Sequence, residues 1–592
     1  MSAALFLWGC TAILLQNPTD ESNAPLIPSG AFESQVELVG MVFDHNGPAE
    51  GARVQVQATD FLAETAEDGS FVISMPPATE PITVVAWKKN RYFTYTQVIP
   101  VELAQTQSSI TLTMKAHHRG DNLNYEWEPS ENCAECHTAN DEWLLDAHSQ
   151  TARNPRFLTI YRGTDVDGNR SPNTGYDGGF PDEVDPKSAE YHGPGFKTDF
   201  PLREGNCATC HTPMVTNLPT NNSCAWSGCH METTLQRSDE LPDNNVSPLA
   251  VKGTATEGIS CDFCHTIARV RLDEETSLPK NNMTGILSLS IYRPEPGERF
   301  IMGSTPDSAR ETDSYNPIYE ESQYCASCHY GVFSNTVIYG SYGEWLESPY
   351  SDAETGQTCQ DCHMPIAEQY DFVDEKLALA DMPPLIAAVM AQEERNYFVY
   401  PEKGGIFRKK EQVHNHQMPG ASDERFLQNA VSMETEAVIQ NGQLDVTVNI
   451  LNDQTGHHVP TGSPMRNMLL IIEAYDNEGT KLEQLSGSTL PEWAGSYAEM
   501  PGKGFAKILR DQLTGESPTV AQWRYLEVES DNRIPAMGMD STQVAFALST
   551  NQTARVEVRL IFRRAFQQLA EWKGWRDPDI VMEEAVLHVN SP

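Results

Sequence analysis

Gly258-Ile259-Ser260-Cys261-Asp262-Phe263-Cys264-His265 sets two cysteines in C-x-x-C spacing with a histidine directly after the second. The same arrangement recurs at Cys133/Cys136/His137, Cys207/Cys210/His211, Cys325/Cys328/His329 and Cys359/Cys362/His363, and in a widened form at Cys224/Cys229/His230. C-x-x-C-H is the pattern of covalent haem attachment: each thiol adds to one porphyrin vinyl group, and the adjacent imidazole reaches the iron as proximal ligand. Zinc ribbons and redox-active dithiols also use such cysteine pairs. Neither accounts for a histidine in the next position at every one of the six places. The six runs take all but Cys10 of the 13 cysteines, so a disulfide framework has nothing to be built from. Six haem c groups are therefore expected. In Cys224-Ala-Trp-Ser-Gly-Cys229 two extra residues must bulge if both sulfurs are to reach their vinyls, which Gly228 permits; a local disulfide is the alternative there.

At 592 residues the chain is too long for one core, and several domains are expected. Lys and Arg total 41 against 83 for Asp and Glu, a formal net charge of -42. Nucleic acid and anionic membrane surfaces are repelled by such a chain, and basic or cation-bridged partners are favoured. The same acidity keeps an exported protein soluble. Residues 3–15 form an apolar run followed by the polar stretch Gln16 to Ala24, too short for a membrane span and suited to a signal peptide over 1–24, although no Lys or Arg precedes it. Leu7-Trp8-Gly9-Cys10 is similar to a lipobox, which makes Cys10 a candidate lipid anchor. Because c-type haem is attached outside the cytoplasmic membrane, the expected location is the periplasm or the cell surface and beyond.

Residues 35–115 alternate apolar and polar side chains between turn signals: Val36 to Phe43, Ala52 to Ala58, Phe71 to Ser74, Ile82 to Trp87 and Ile110 to Met114. That period predicts a small antiparallel sandwich. Gly40-x-Val42-x-Asp44, Gly47-Pro48, Gly51-Ala52-x-Val54 and Thr65-x-x-Asp68-Gly69-x-Phe71 resemble the carboxypeptidase regulatory-like domain, which implies a structural or docking module without chemistry of its own. From 116 to 425 the texture changes to loops rich in Pro, Gly and Asn that carry all six motifs, and the macrocycles are expected to supply the core. Helices there should be short, several beginning at an attachment cysteine, with a longer one over 372–397 broken at Pro383-Pro384. Residues 430–592 return to strand texture at Leu444 to Leu451, Met468 to Ala474, Thr542 to Leu548 and Ala554 to Ile561, with a helical stretch near Phe566 to Lys573. The fold class is multidomain: a loop-rich, mainly α multihaem domain flanked by two β-sandwich domains, the second contributing a distal haem ligand.

An iron bound on both faces is restricted to electron transfer, and one bound on a single face is open to chemistry, so the remaining histidines matter. Beyond the six proximal residues His137, His211, His230, His265, His329 and His363, the candidates are His148, His192, the pair His117-His118, His414 with His416, and His457 with its neighbour His458. Each doublet is expected to offer one ligand while its partner hydrogen-bonds. His45 and His588 read as structural. Met364 and Met418 are further axial candidates, though a Met beside such a motif is more often packing. Asp165-Val-Asp167-Gly-Asn169 has the alternating oxygens of a calcium loop without the bidentate Glu, so calcium competes with an ordinary turn.

Residues 133 to about 590 resemble multihaem c-type cytochromes of the hydroxylamine-oxidoreductase-related superfamily. The resemblance is carried by Cys133-x-x-Cys136-His137 with Trp143 and His148, by Gly258 to His265, and by Cys359-Gln-Asp-Cys362-His-Met-Pro365. His414-Asn-His-Gln-Met-Pro-Gly420 and Gly456-His457-x-x-Pro460-Thr-Gly462 carry it further. It implies that His148, His416 and His457 are distal ligands and that the haems are mainly bis-histidine. Relatives that are nitrite reductases have a motif ending in Lys, and hydroxylamine oxidoreductases have eight haems; neither feature occurs here. The resulting expectation is an exported electron carrier with no catalytic residue, relaying electrons between redox partner proteins or to an extracellular acceptor. The alternatives are a reductase or oxidase of a small nitrogen or sulfur compound with one open haem, and a homo-oligomeric subunit of an extracellular cytochrome filament.

Overall fold

Alternation of period two along residues 36–113 closes into two four-stranded sheets packed face to face. The computed structural model describes residues 35–88, 94–104, 109–117, 122, 124–179, 181–182, 184–215, 246–281, 283–310, 312–367, 395–396, 399, 403, 405, 408–548 and 553–590. The signal-peptide region with Cys10, His118, the widened motif Cys224/Cys229/His230 and most of the helix expected over 372–397 lie outside the described residues. In the first sheet Val36–Asp44 pairs with Gly47–Pro48 and Ser70–Met75 antiparallel and with Ser109–Thr113 parallel. The second runs Leu62–Glu64, Arg53–Val56, Ile82–Trp87, Tyr95–Ile99, all antiparallel. Leu38, Val42, Val54, Val56, Ile82, Val84 and Leu112 fill the space between them.

The parallel pairing corrects the expectation of a purely antiparallel sandwich. After Tyr95–Ile99 the chain crosses from one sheet to the other through the helical turn Val101–Ala104 and re-enters alongside the first strand in the same direction. Periodicity reports which face is buried and is blind to strand direction.

The middle segment is built of short pieces. Its described α-helices include Ser130–Ala134, Ala139–Leu144, Pro155–Arg162, Cys261–His265, Gln323–His329 and Cys359–His363, interleaved with two-stranded ribbons such as Ile267–Val270 with Leu289–Ile291. It also owns an apolar cluster, with Ile259, Phe263, Ile267, Ile286, Leu289, Ile291, Ile318 and Tyr342 buried together. The expectation that macrocycles alone supply this core is thereby corrected. Arg395–Asn396, at the end of the expected long helix, is strand, paired antiparallel with Arg408–Lys409.

The C-terminal region packs a four-stranded sheet, Ser432–Gln440, Gln443–Leu451, Met539–Ala547 and Gln484–Gly487, on a five-stranded one, Leu526–Asp531, Gly502–Asp511, Asn467–Asp476, Ala554–Arg563 and Ile580–Val589. Asn441 and Gly442, both at positive φ, make the two-residue turn of the first hairpin. Met468 to Ile472 are buried on both faces, as a central strand demands. No helix among the described residues is long and apolar enough to cross a membrane.

Both sandwiches are fastened to the middle segment through buried carboxylates. Asp307 accepts the Ala58 amide at 2.7 Å and pairs with Arg408. Asp199 accepts from Arg524 Nε at 2.7 Å, Trp523 Nε1 at 2.6 Å and Thr174 Oγ1 at 2.7 Å.

Candidate cofactor sites

Each described attachment motif sits on a helical turn, and at two of them the residue before it caps the turn. Ser260 accepts the Phe263 amide and starts Cys261–His265; Thr358 accepts the Asp361 amide while Asp361 accepts that of Thr358, a reciprocal cap that starts Cys359–His363. The turn then delivers the histidine one helical step beyond the first cysteine, as in the bonds from the His137 amide to Cys133 O at 2.9 Å and from the His211 amide to Cys207 O at 3.0 Å. Thiols and imidazole thus leave the same turn. None of the ten described cysteines is in a disulfide.

The motifs meet one another at these thiols. Cys133 is hydrogen-bonded to Cys261, Cys210 to Cys328 and Cys325 to Cys359. Within each pair one thiol donates to the other, so Cys133, Cys210 and Cys359 are drawn below the ordinary thiol range while Cys261, Cys328 and Cys325 are pushed above it. Cys359 makes the contact with Cys325, and Cys362, half-buried, follows on the same turn directly before His363. Cys325 and Cys328, three residues apart, leave their turn in different directions and so meet two different motifs. Asp262 strengthens the first junction: it accepts from Tyr125 Oη at 2.9 Å and from the Glu128 amide at 2.8 Å, binding the approach to Cys133 onto the turn of Cys261. Tyr319 and Tyr324, just before Cys325, donate to Cys264 O at 2.8 and 2.9 Å.

The imidazoles share one hydrogen-bonding habit. His265 Nδ1 donates to Met302 O at 2.7 Å, His363 Nδ1 to Pro419 O at 2.8 Å, His414 Nδ1 to Met364 O at 2.7 Å, His416 Nδ1 to His414 O at 3.0 Å and His457 Nδ1 to His458 O at 3.0 Å. His148 Nδ1 donates to Asp146 Oδ1 at 2.6 Å. A carbonyl or carboxylate on Nδ1 fixes the proton there and leaves the Nε2 lone pair for a metal, the second-shell arrangement of ligating histidines. Burial does the rest. It is the first cause that lowers His211, His416 and His457 to about 4 and His329 to about 3, so these rings stay neutral at physiological pH.

Two ring pairs stand at a telling separation. His148 and His329 have centroids 6.1 Å apart, and His363 and His457 6.3 Å apart. Two imidazoles bound to one metal from opposite sides, each nitrogen about 2 Å from it, place their centroids about 6 Å apart. His416 lies beside His265, which is the leading charge acting on it, with His414 and His137 next. His211 differs: its ring lies flat on Phe157 at 3.8 Å, and no described imidazole bears on it. This donor set, paired thiols and a neutral imidazole on one turn with a second imidazole opposite, fits covalently bound haem.

Other expected residues are placed elsewhere. His117 packs among Tyr292 and Phe300 at ring distances of 5.4 and 4.8 Å. His192 Nδ1 is 3.2 Å from Asp165 Oδ2, and the neighbouring Tyr191 lies against Trp572. Asp165 is also occupied by its own loop, accepting both amides of Asp167 and Asn169 and the Asn169 side chain at 2.7 Å. Among the described residues no group of three or more His, Cys, Asp or Glu is arranged to hold a metal ion unaided, so nothing supports calcium at that loop. Both His414 and His416 bond a backbone carbonyl through Nδ1.

Asp146 escaped the sequence reading. Its carboxyl takes the His148 ring and amide and the Met418 amide at 3.0 Å, and these bonds outweigh burial to hold it below the usual carboxylate range. Only its position two residues before His148 could have signalled it.

No known protein family matches this sequence, and no curated protein matches it. Among solved structures, a penta-heme cytochrome c552 from Thermochromatium tepidum is similar over 78% of this chain and 99% of its own, with 18% sequence identity and a TM-score of 0.47. That likeness is too slight to place any residue.

Proposed function

We propose that this chain is an exported multihaem c-type cytochrome that passes single electrons through closely packed, mostly bis-histidine haems. The observation that carries the reading is the pair of imidazole separations, 6.1 Å for His148 with His329 and 6.3 Å for His363 with His457, each joining a C-x-x-C-H histidine to one far away in sequence. Iron–porphyrin, when bound, supplies reversible one-electron chemistry. The chain's own residues do the positioning. Thiols on each short turn, such as Cys359 and Cys362, form the covalent anchor, and the carbonyls and the Asp146 carboxylate on Nδ1 hold ring orientation. The attachment turns of Cys133 and Cys261, of Cys210 and Cys328, and of Cys325 and Cys359 lie close enough for their sulfurs to meet, and that proximity suits relay from one group to the next. Redox proteins or an extracellular acceptor would take the electrons.

The test is to produce the full chain in a host competent in cytochrome maturation. Intact-mass measurement should show six added haems, and electron paramagnetic resonance of the ferric protein should be dominated by low-spin signals. A colourless product of unmodified mass would end the proposal.

His211 favours a second reading in which one haem is open to a small nitrogen or sulfur compound. Its ring meets Phe157 where other motif histidines meet an imidazole. A high-spin ferric signal that shifts with nitrite or hydroxylamine would select this reading; its absence would leave the relay.

A further inference from the structure

Arg156 and Arg564 share one carboxylate, that of Asp577, and both act on Arg466, whose own charge reaches His329. Arg156 comes from the helix Pro155–Arg162, Arg466 from the turn before Asn467–Asp476, and Arg564 follows Ala554–Arg563. Arg156 and Arg564 both pair with Asp577, the latter at 3.0 Å. Arg466 Nη1 donates to Thr461 O at 3.0 Å, and among the described residues no carboxylate stands within ion-pair distance of it. Burial lowers Arg466 to about 10, and the charges of Arg564 and Arg156 push in the same direction. Arg156 Nε is buried without a hydrogen-bond partner among the described residues. In turn, Arg466 is one of the charges acting on the His329 ring.

The backbone is shaped to admit this cation. Gly462 has φ +78°, and a Cβ there would lie 2.7 Å from Arg466 Nη1. The positive φ favours glycine, and the missing side chain leaves room for the guanidinium. In a chain of net charge -42, three guanidinium groups sharing one carboxylate run against the composition. Crowding like charges in a half-buried place is costly unless an anion answers them.

We infer that Arg466, supported by Arg156 and Arg564, forms an anion site beside the His148–His329 pair that takes a carboxylate or small oxyanion. This rests on haem binding at Cys325/Cys328/His329. Two sources share the chemistry: a propionate of that haem, or a free oxyanion from solution. A planar guanidinium suits either, through paired N–H donors. A cation near the iron favours the reduced, less positive state, so removing it lowers that haem's potential.

The experiment compares the matured full chain with Arg466→Gln and Arg466→Lys by spectroelectrochemical titration, after intact mass has verified the haem content. In Arg466→Gln one haem transition should show a reduced-to-oxidised ratio about tenfold lower at fixed potential, about 59 mV for one electron. Arg466→Lys should fall between this variant and the parent. If nitrite, sulfite and phosphate leave the parent unmoved, the propionate is the anion; if they shift the parent and not Arg466→Gln, a free oxyanion is. Should Arg466→Gln not fold, Arg564→Gln should move the same transition in the same direction by less. Full haem content with no transition moved by either substitution or by any anion overturns the anion site and leaves the cytochrome reading intact. Absent haem overturns the reading beneath it.

Discussion

At the residue scale the decisive contacts are between single imidazoles. His148→Ala and His457→Ala should each convert one low-spin haem to high spin, read by electron paramagnetic resonance, because each removes one member of a facing pair. Unchanged spectra in both would show that the rings meet without sharing an iron. Lys573 offers a prediction independent of haem. Its side chain is fully buried, with Nζ donating to Thr164 O at 3.1 Å, and burial lowers it to about 7 despite the opposing charges of Asp165 and Asp199. Between that value and the ordinary lysine range, about 10.4, the unfolded chain binds the proton and the folded one releases it. Stability should therefore rise with pH from about 7 towards 10. Lys573→Met should flatten that rise in thermal unfolding followed across pH, and a slope equal to the parent's would refute the assignment. The motif cysteines and proximal histidines were legible as a string because their chemistry needs only adjacent residues. Asp146 and Arg466 were not, because their roles depend on partners brought in from Met418 and from Arg156 and Arg564.

Short elements hold these residues, and what aligns them is the contact between one turn and the next. Gly258, at φ +78°, lets the approach to Cys261 touch the turn of His148: a Cβ would lie 2.4 Å from Thr151 Oγ1 and 2.6 Å from His148 O, and the Ile259 amide donates to that same carbonyl at 3.0 Å. Gly258→Ala should cost about 1–3 kcal/mol by strain at that backbone conformation. It should also disturb the His148 low-spin signal, while a substitution of another glycine such as the open Gly420 should do neither; calorimetry and resonance spectra together check this. The capped starts at Ser260 and Thr358 follow from sequence rules and were readable in principle. Strand direction was not. Ser109–Thr113 alternates as any strand does, and its parallel seat beside Val36–Asp44 is decided by the crossover that precedes it.

Across the whole molecule, buried carboxylates at the junctions join segments far apart in sequence. Asp199 is wholly buried and answers Arg524, Trp523 and Thr174, so Asp199→Ala leaves a buried guanidinium without its main counter-charge. Such losses cost about 3–5 kcal/mol. Denaturant unfolding should show a lowered midpoint or a separate early transition of the C-terminal sheets; a midpoint within about 0.5 kcal/mol of the parent would mean the junction is held elsewhere. The sequence by itself determined that paired thiols and an imidazole leave a single turn at each described motif, since that arrangement needs nothing distant. It also determined which stretches alternate as strands, because a buried face imprints its period on the chain. Tertiary structure alone decided which imidazole faces which, that motif thiols touch across turns, that Ser109–Thr113 runs parallel and that Arg156 and Arg564 gather about Arg466. Each of these is a contact between residues far apart along the chain, and no local periodicity or spacing encodes such a contact before the chain has folded.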